Sequence, residues 1–259
     1  MNSAPPLPED LVTILKRMRL PYLRAAAPEV LATAKAQRWD PTEVLKVLLA
    51  EEVRGRDEAT KAMRRKSAGL PAGKTFSSWR EQDSSIPVPT QHALAALEWV
   101  HRAENLAISG PSGTGKTHFV EGLAHAVIDA GMRVSWFTLE SLTAAIGRAA
   151  VDGSITKTIT KITRAELIVV DDIGMLPSGQ AAAEAFYRLV DAAYERRSVA
   201  VTSNLHPSKA HLFARTSARW RRNVTGSGAG RGRRGLRGRS ARLEGPSRKQ
   251  QRRVSDRGC

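Results

Sequence analysis

The sequence predicts an α/β fold: a three-layer domain built on a parallel sheet, preceded by a small all-α domain and followed by a disordered basic tail. Three observations carry this. Short apolar runs at 105–109, 133–137, 167–170 and 199–202 alternate with segments of helical period, the pattern of parallel strands joined by covering helices. A glycine-rich octapeptide, 110–117, stands between the first run and the helix after it. Beyond residue 206 all periodicity ends.

Residues 1–68 read as a helical N-terminal domain of three or four helices. Leu11, Ile14, Leu15 and Met18 fall at helical spacing, and Pro21 ends that helix or begins the next. Asp40-Pro41-Thr42-Glu43 is a helix start: Asp40 can cap free N–H groups, Pro41 suits the first helical position, and Glu43 can complete a capping box. Val44, Leu45, Leu48 and Leu49 supply its apolar face, with Glu52/Arg56 and Asp57/Lys61 paired four residues apart. Residues 69–85, opening with Gly69, Pro71 and Gly73, read as a linker.

Residues 86–206 form the α/β domain. Leu94, Leu97 and Val100 mark a helix before the 105–109 strand. The helix from His118 to Ala130 turns Leu123 and Val127 inward and stops at Gly131. Strands at 133–137, 167–170 and 199–202 are separated by helices over 139–150, 157–164 and 181–196. The 167–170 run is wholly apolar, as a central parallel strand covered on both faces requires. Trp99 and Trp136 belong to the core.

Charge divides the chain the same way. Residues 207–259 hold 16 Lys and Arg against Glu244 and Asp256, whereas 1–206 carry 25 basic and 23 acidic residues. Of the net charge of +16, +14 therefore belongs to the tail, whose 14 Arg, 8 Gly and 6 Ser among 53 residues cannot bury enough surface to offset chain entropy. No apolar run is long enough to cross a membrane, no secretory leader is visible, and the single Cys259 excludes a disulfide scaffold. A cytoplasmic setting follows. The six histidines lack paired ligand spacing. Lys157, Lys161 and Arg164 read as a solvated face rather than a nucleic-acid stripe.

Gly110-Pro111-Ser112-Gly113-Thr114-Gly115-Lys116-Thr117 satisfies GxxxxGK[ST] between a strand and a helix. In such a loop backbone N–H groups curl around phosphates and the helix N-terminus adds positive potential. Lys116 is placed for the β- and γ-phosphates of ATP, and the Thr117 hydroxyl for Mg²⁺. The strand ending in Asp171 and Asp172 brings its carboxylates to the same sheet edge. Asp171 is expected to hold the Mg²⁺ and Asp172 to polarise the attacking water as general base. Asn204, closing the last strand, is expected to face the γ-phosphate and that water.

The segments 110–118, 167–174 (Leu-Ile-Val-Val-Asp-Asp-Ile-Gly) and 202–205 (Thr-Ser-Asn-Leu) resemble the IstB-like ATPases, AAA+ helpers of insertion-sequence transposition related to the DnaC-type helicase loaders. The resemblance covers about 1–206, including a helical domain before the ATPase and a linker at Lys74-Thr75-Phe76 leading to Trp79. It implies an AAA+ domain, ATP with Mg²⁺, homo-oligomeric assembly on double-stranded DNA and recruitment of a partner transposase. Two alternatives stay open: a DnaC-like helicase loader, and an ATP-binding remnant without turnover. After His206-Pro207-Ser208 the likeness stops. The arginine-finger helix and fifth strand expected there are not recognisable, and the Gly- and Arg-rich composition is what a shifted reading frame yields in a GC-rich gene. The strand at 105–109 is therefore expected to have one open edge.

Overall fold

The computed structural model describes residues 4–71, 73–173, 180–204 and 238–242. The chain divides into two compact units, 1–63 and 64–259.

The first unit holds α1 (Glu9–Arg17), α2 (Pro21–Gln37) and most of α3 (Pro41–Ala68). Leu15, Leu23 and Ala27 form its core, with Leu7, Leu11, Leu20 and Leu48 packed around them. The predicted start of α3 is present: the Thr42 N–H donates to Asp40 Oδ1 at 2.8 Å. The start of α2 is capped from a distance, because Glu52 Oε2 accepts the Tyr22 and Leu23 N–H groups at 2.9 and 2.8 Å while Arg56 Nε donates to Oε1 at 2.8 Å. The predicted apolar faces are buried only in part: Leu15 and Leu48 face the core, but Ile14, Met18, Leu45 and Leu49 stay exposed. The 28 residues of α3 outrun the 9 of α1 and 17 of α2, so two short helices cannot cover its stripe. Lys61 pairs with Glu58 rather than with the predicted Asp57.

The second unit is a parallel sheet with helices on both faces. Its strands are β1 (Asn105–Ser109), β2 (Val134–Thr138), β3 (Leu167–Asp171), β4 (Ser198–Ser203) and β5 (Gly238–Arg242), in the order β2-β3-β4-β1-β5. The helices are α4 (Val88–Ala95), α5 (Glu98–His101), α6 (Lys116–Asp129), α7 (Leu139–Val151), α8 (Ile155–Ile162) and α9 (Gln180–Ala193). β3 and β4 are buried along their whole lengths, as central strands must be. One core cluster gathers Phe119, Leu123, Val127, Trp99 and Trp136; the other gathers Leu142, Ile146, Ile159, Phe186 and Leu189.

Three features depart from expectation. The single helix predicted through Leu94, Leu97 and Val100 is broken into α4 and α5 at Leu97, whose φ is +61°. The open edge predicted for β1 is closed: Gly238–Arg242 pairs parallel with it, Asn105 opposite Gly238 and Ser109 opposite Arg242. A strand within 207–259 also departs from a tail without regular structure. Parallel pairing is satisfied by backbone groups alone, so hydrophobic patterning gave no signal for it. Residues 205–237 and 243–259 lie outside the described residues.

Candidate nucleotide site

The site lies at the carboxyl ends of β1, β3 and β4. β1 delivers the loop 110–117, and the Gly110 N–H donates to Ser203 O at 3.1 Å, joining the loop's first residue to the end of β4. Gly113 and Gly115 have φ of +80° and +82°, the left-handed region that lets the chain curl without a Cβ in the way. Thr114 donates its hydroxyl to Pro111 O at 2.9 Å. The Phe119 N–H donates to Gly115 O at 2.9 Å as α6 begins.

Lys116 is buried, and its Nζ donates to Pro111 O at 2.8 Å. Burial holds its ammonium below the ordinary lysine range, against the opposing pull of Asp172 and Asp171. Thr117 donates its hydroxyl to Asp171 Oδ1 at 3.2 Å, linking the start of α6 to the end of β3. Burial pushes the Asp171 carboxyl above the ordinary aspartate range, opposed by the hydroxyls of Thr202 and Thr117. Asp172 stands one residue beyond the strand, with φ +61°. Asn204 follows β4, and its Oδ1 is buried without a hydrogen-bond partner among the described residues.

The structure therefore brings to one sheet edge the residues expected to hold nucleotide: 110–117 on the loop, Asp171 as the last residue of β3, Asp172 just beyond it, and Asn204 beyond β4. The donor set suits a magnesium nucleotide. A hydroxyl beside a carboxylate offers hard oxygens, the glycine turn is a phosphate cradle, and nothing lies within 4 Å of where a Cβ would stand on Gly113. The buried Asn204 Oδ1, without a partner among the described residues, adds a polar atom at the end of β4.

Two groups escaped the sequence reading. Thr202 joins the acids of β3, as developed below. The linker also straps across the first turns of α6. The Trp79 ring packs at 5.1 Å from the ring of His118 and 5.3 Å from that of Phe119. Trp79 Nε1 donates to Gln91 Oε1 at 2.7 Å. Gln91, itself buried, donates Nε2 to Glu81 O and Ile86 O. Phe76 packs edge-on against Phe119, and the Lys74 N–H donates to Glu121 Oε1 at 2.9 Å. The sequence signal available was the aromatic spacing Phe76 to Trp79 opposite His118 and Phe119. Lys157, Lys161 and Arg164 line a groove of about 610 Å³ along α8 with Ser154, Thr156 and Thr160, consistent with a solvated face.

A model of the IstB-like ATP binding protein family matches residues 13–213. The chain belongs to that family. It is 31% identical over 196 residues to an ATP-binding protein of insertion sequence IS21 from Pseudomonas aeruginosa, covering 75% of this chain and 74% of the relative. A second relative, an IS21-like ATP-binding protein of Bacteroides fragilis, is 30% identical over 197 residues, covering 76% and 75%. The fold is shared with replication initiator DnaA. A DnaA bound to AMPPCP and single-stranded DNA aligns with a TM-score of 0.53 at 17% identity, over 69% of this chain and 52% of that one. Domain III of Thermotoga maritima DnaA aligns at 0.51 and 18%, over 72% and 73%. The likeness to both DnaA structures is one of fold. The family match closes at 213, close to where the sequence resemblance stops.

Proposed function

We propose that this protein is an ATP-binding, DNA-associated helper of insertion-sequence transposition. It uses ATP to assemble on double-stranded DNA as a homo-oligomer and to recruit the transposase, in the cytoplasm. The observation that carries the reading is the Thr117–Asp171 link beneath a complete phosphate loop, in a chain whose relatives are named as ATP-binding proteins of insertion sequences.

In this reading the backbone of 110–115 and the N-terminus of α6 cradle the phosphates of ATP. Lys116 leaves the Pro111 carbonyl for the β- and γ-phosphates. Thr117 and Asp171 would hold Mg²⁺, whose chemistry there would be to offset the negative charge of the phosphates. Asp172 accepts a proton from the attacking water, and Asn204 orients that water through its Oδ1. Burial of Lys116 and Asp171 keeps the site in a low-dielectric setting, where their charges act strongly on a bound anion and cation. The finger arginine that the family resemblance leads one to expect is left unassigned in this reading.

The test is mass by light scattering on a short duplex, with and without Mg-ATP, followed by addition of the transposase encoded with the element. The proposal predicts an oligomer on DNA that forms only with nucleotide and retains the transposase. Equal mass with and without nucleotide, and no retention, would refute it.

A further inference from the structure

We propose that Thr202 is a positioning residue of the nucleotide site: its hydroxyl locks the two acids at the end of β3 into one arrangement. The inference rests on the roles given above to Asp171 and Asp172. Thr202 is fully buried near the end of β4. Its hydroxyl donates to Asp171 Oδ1 and accepts the Asp172 N–H at 2.8 Å. Its carbonyl accepts the Ile173 N–H at 2.9 Å. One residue thus holds three consecutive residues of the turn that carries the acids.

The register shows why a side chain is needed. β3 and β4 pair from Leu167 opposite Ser198 to Val170 opposite Val201. The acids begin where that pairing ends, and the Thr202 hydroxyl takes over at that point. Asp172 turns into the left-handed region at φ +61°, a conformation unfavourable for a residue with a Cβ. Such a turn persists when its surroundings over-determine it, and here Thr202 engages the N–H groups of Asp172 and Ile173 together.

The chemistry of the side chain matters more than its shape. Valine matches threonine in outline and suits a buried strand equally well, whereas a buried hydroxyl is costly unless hydrogen-bonded. Thr202 spends its donor on a carboxylate and an acceptor site on the next amide. Asp171 Oδ1 also accepts the Thr117 hydroxyl. When Thr117 turns to serve a cation, Thr202 remains as the donor that fixes the plane of the carboxylate. Ligand carboxylates held this way bind metal more tightly.

The test compares the full chain with Thr202→Val and Thr202→Ser, titrating a fluorescent ATP analogue with and without Mg²⁺. Thr202→Val should keep the Mg-free affinity and lose about tenfold of the gain that Mg²⁺ confers, the size of one hydrogen bond to a charged group. Thr202→Ser, which keeps the hydroxyl, should restore that gain. If the valine variant does not fold, Thr202→Cys replaces it, its thiol being a weak donor. An unchanged Mg²⁺ gain in the valine or cysteine variant, or a serine variant as impaired as they are, overturns the proposal. Lys116→Ala in parallel separates the two levels: if it too binds normally, the nucleotide reading itself has failed.

Discussion

Replacing Gly115 by alanine should cost more than replacing Gly113, although both glycines sit at the same backbone angle. Their φ values are +82° and +80°, so the penalty for placing an L residue in the left-handed region, about 1–2 kcal/mol, is common to both. Their surroundings differ. A Cβ on Gly113 meets nothing within 4 Å, whereas one on Gly115 lies 3.0 Å from Trp79 Cζ3 and 3.2 Å from Cη2. The indole cannot simply swing away, because its N–H is tied to Gln91, which is tied in turn to the Glu81 and Ile86 carbonyls. Overpacking of this kind costs about 1–3 kcal/mol. The sum is about 2–5 kcal/mol for Gly115→Ala. At about 2–4 °C per kcal/mol for a domain of this size, its melting temperature should fall by roughly 4–20 °C, against roughly 2–8 °C for Gly113→Ala. Calorimetric melts of both variants, of Trp79→Leu and of Gly115→Ala/Trp79→Leu complete the cycle. The double variant should be more stable than the sum of its parts by about 1 kcal/mol or more. Equal losses at the two glycines, or an additive cycle, would show that the Trp79 strap does not press on the loop.

Two further outcomes follow from the acids. Burial raises Asp171 above the ordinary 3.8, so the folded chain holds that proton more tightly than the unfolded chain. Its ionisation therefore weakens the fold progressively as pH rises through this window, and the full penalty remains at neutral pH. Asp171→Asn should melt higher than the parent at pH 7, with the gap closing below pH 3.8, while Mg-dependent nucleotide affinity falls; a lower melting point at pH 7 would contradict the burial argument. Asp172→Asn should bind ATP like the parent yet hydrolyse it at least about 100-fold more slowly, the usual contribution of a general base, and unchanged phosphate release would move the base elsewhere.

Much of the second unit was legible because its sequence signals are local. β1 was read at 105–109 and found at Asn105–Ser109, and β3 at 167–170 ends one residue later, at Asp171. The loop between strand and helix, and acids closing an apolar strand, announce themselves by spacing. What stayed hidden depends on contacts distant in sequence. Glu52 caps a helix that starts 31 residues earlier. Trp79 and Gln91 hold a strap over α6. Thr202 was visible only as part of Thr-Ser-Asn, and its bonds to Asp171 and Asp172 arise from the juxtaposition of β3 and β4. The break between α4 and α5 at Leu97 has no glycine or proline to mark it. In the N-terminal unit helical spacing located the helices but overstated their burial, because periodicity cannot count how many partners a helix will meet. β5 escaped for the opposite reason, since Gly238–Arg242 lacks the apolar run that signals a strand.

The central claim is that the loop 110–117 and the acids at the end of β3 form one Mg-ATP site. Isothermal calorimetry of ATP in Mg²⁺ buffer tests it most directly, comparing the full chain with Lys116→Ala. The account predicts saturable binding to one site per chain that Mg²⁺ strengthens, and loss of that binding in Lys116→Ala while the melting transition is kept. Equal affinity in parent and variant would contradict it, because the cation that the loop offers to the β- and γ-phosphates would then have no part in holding them.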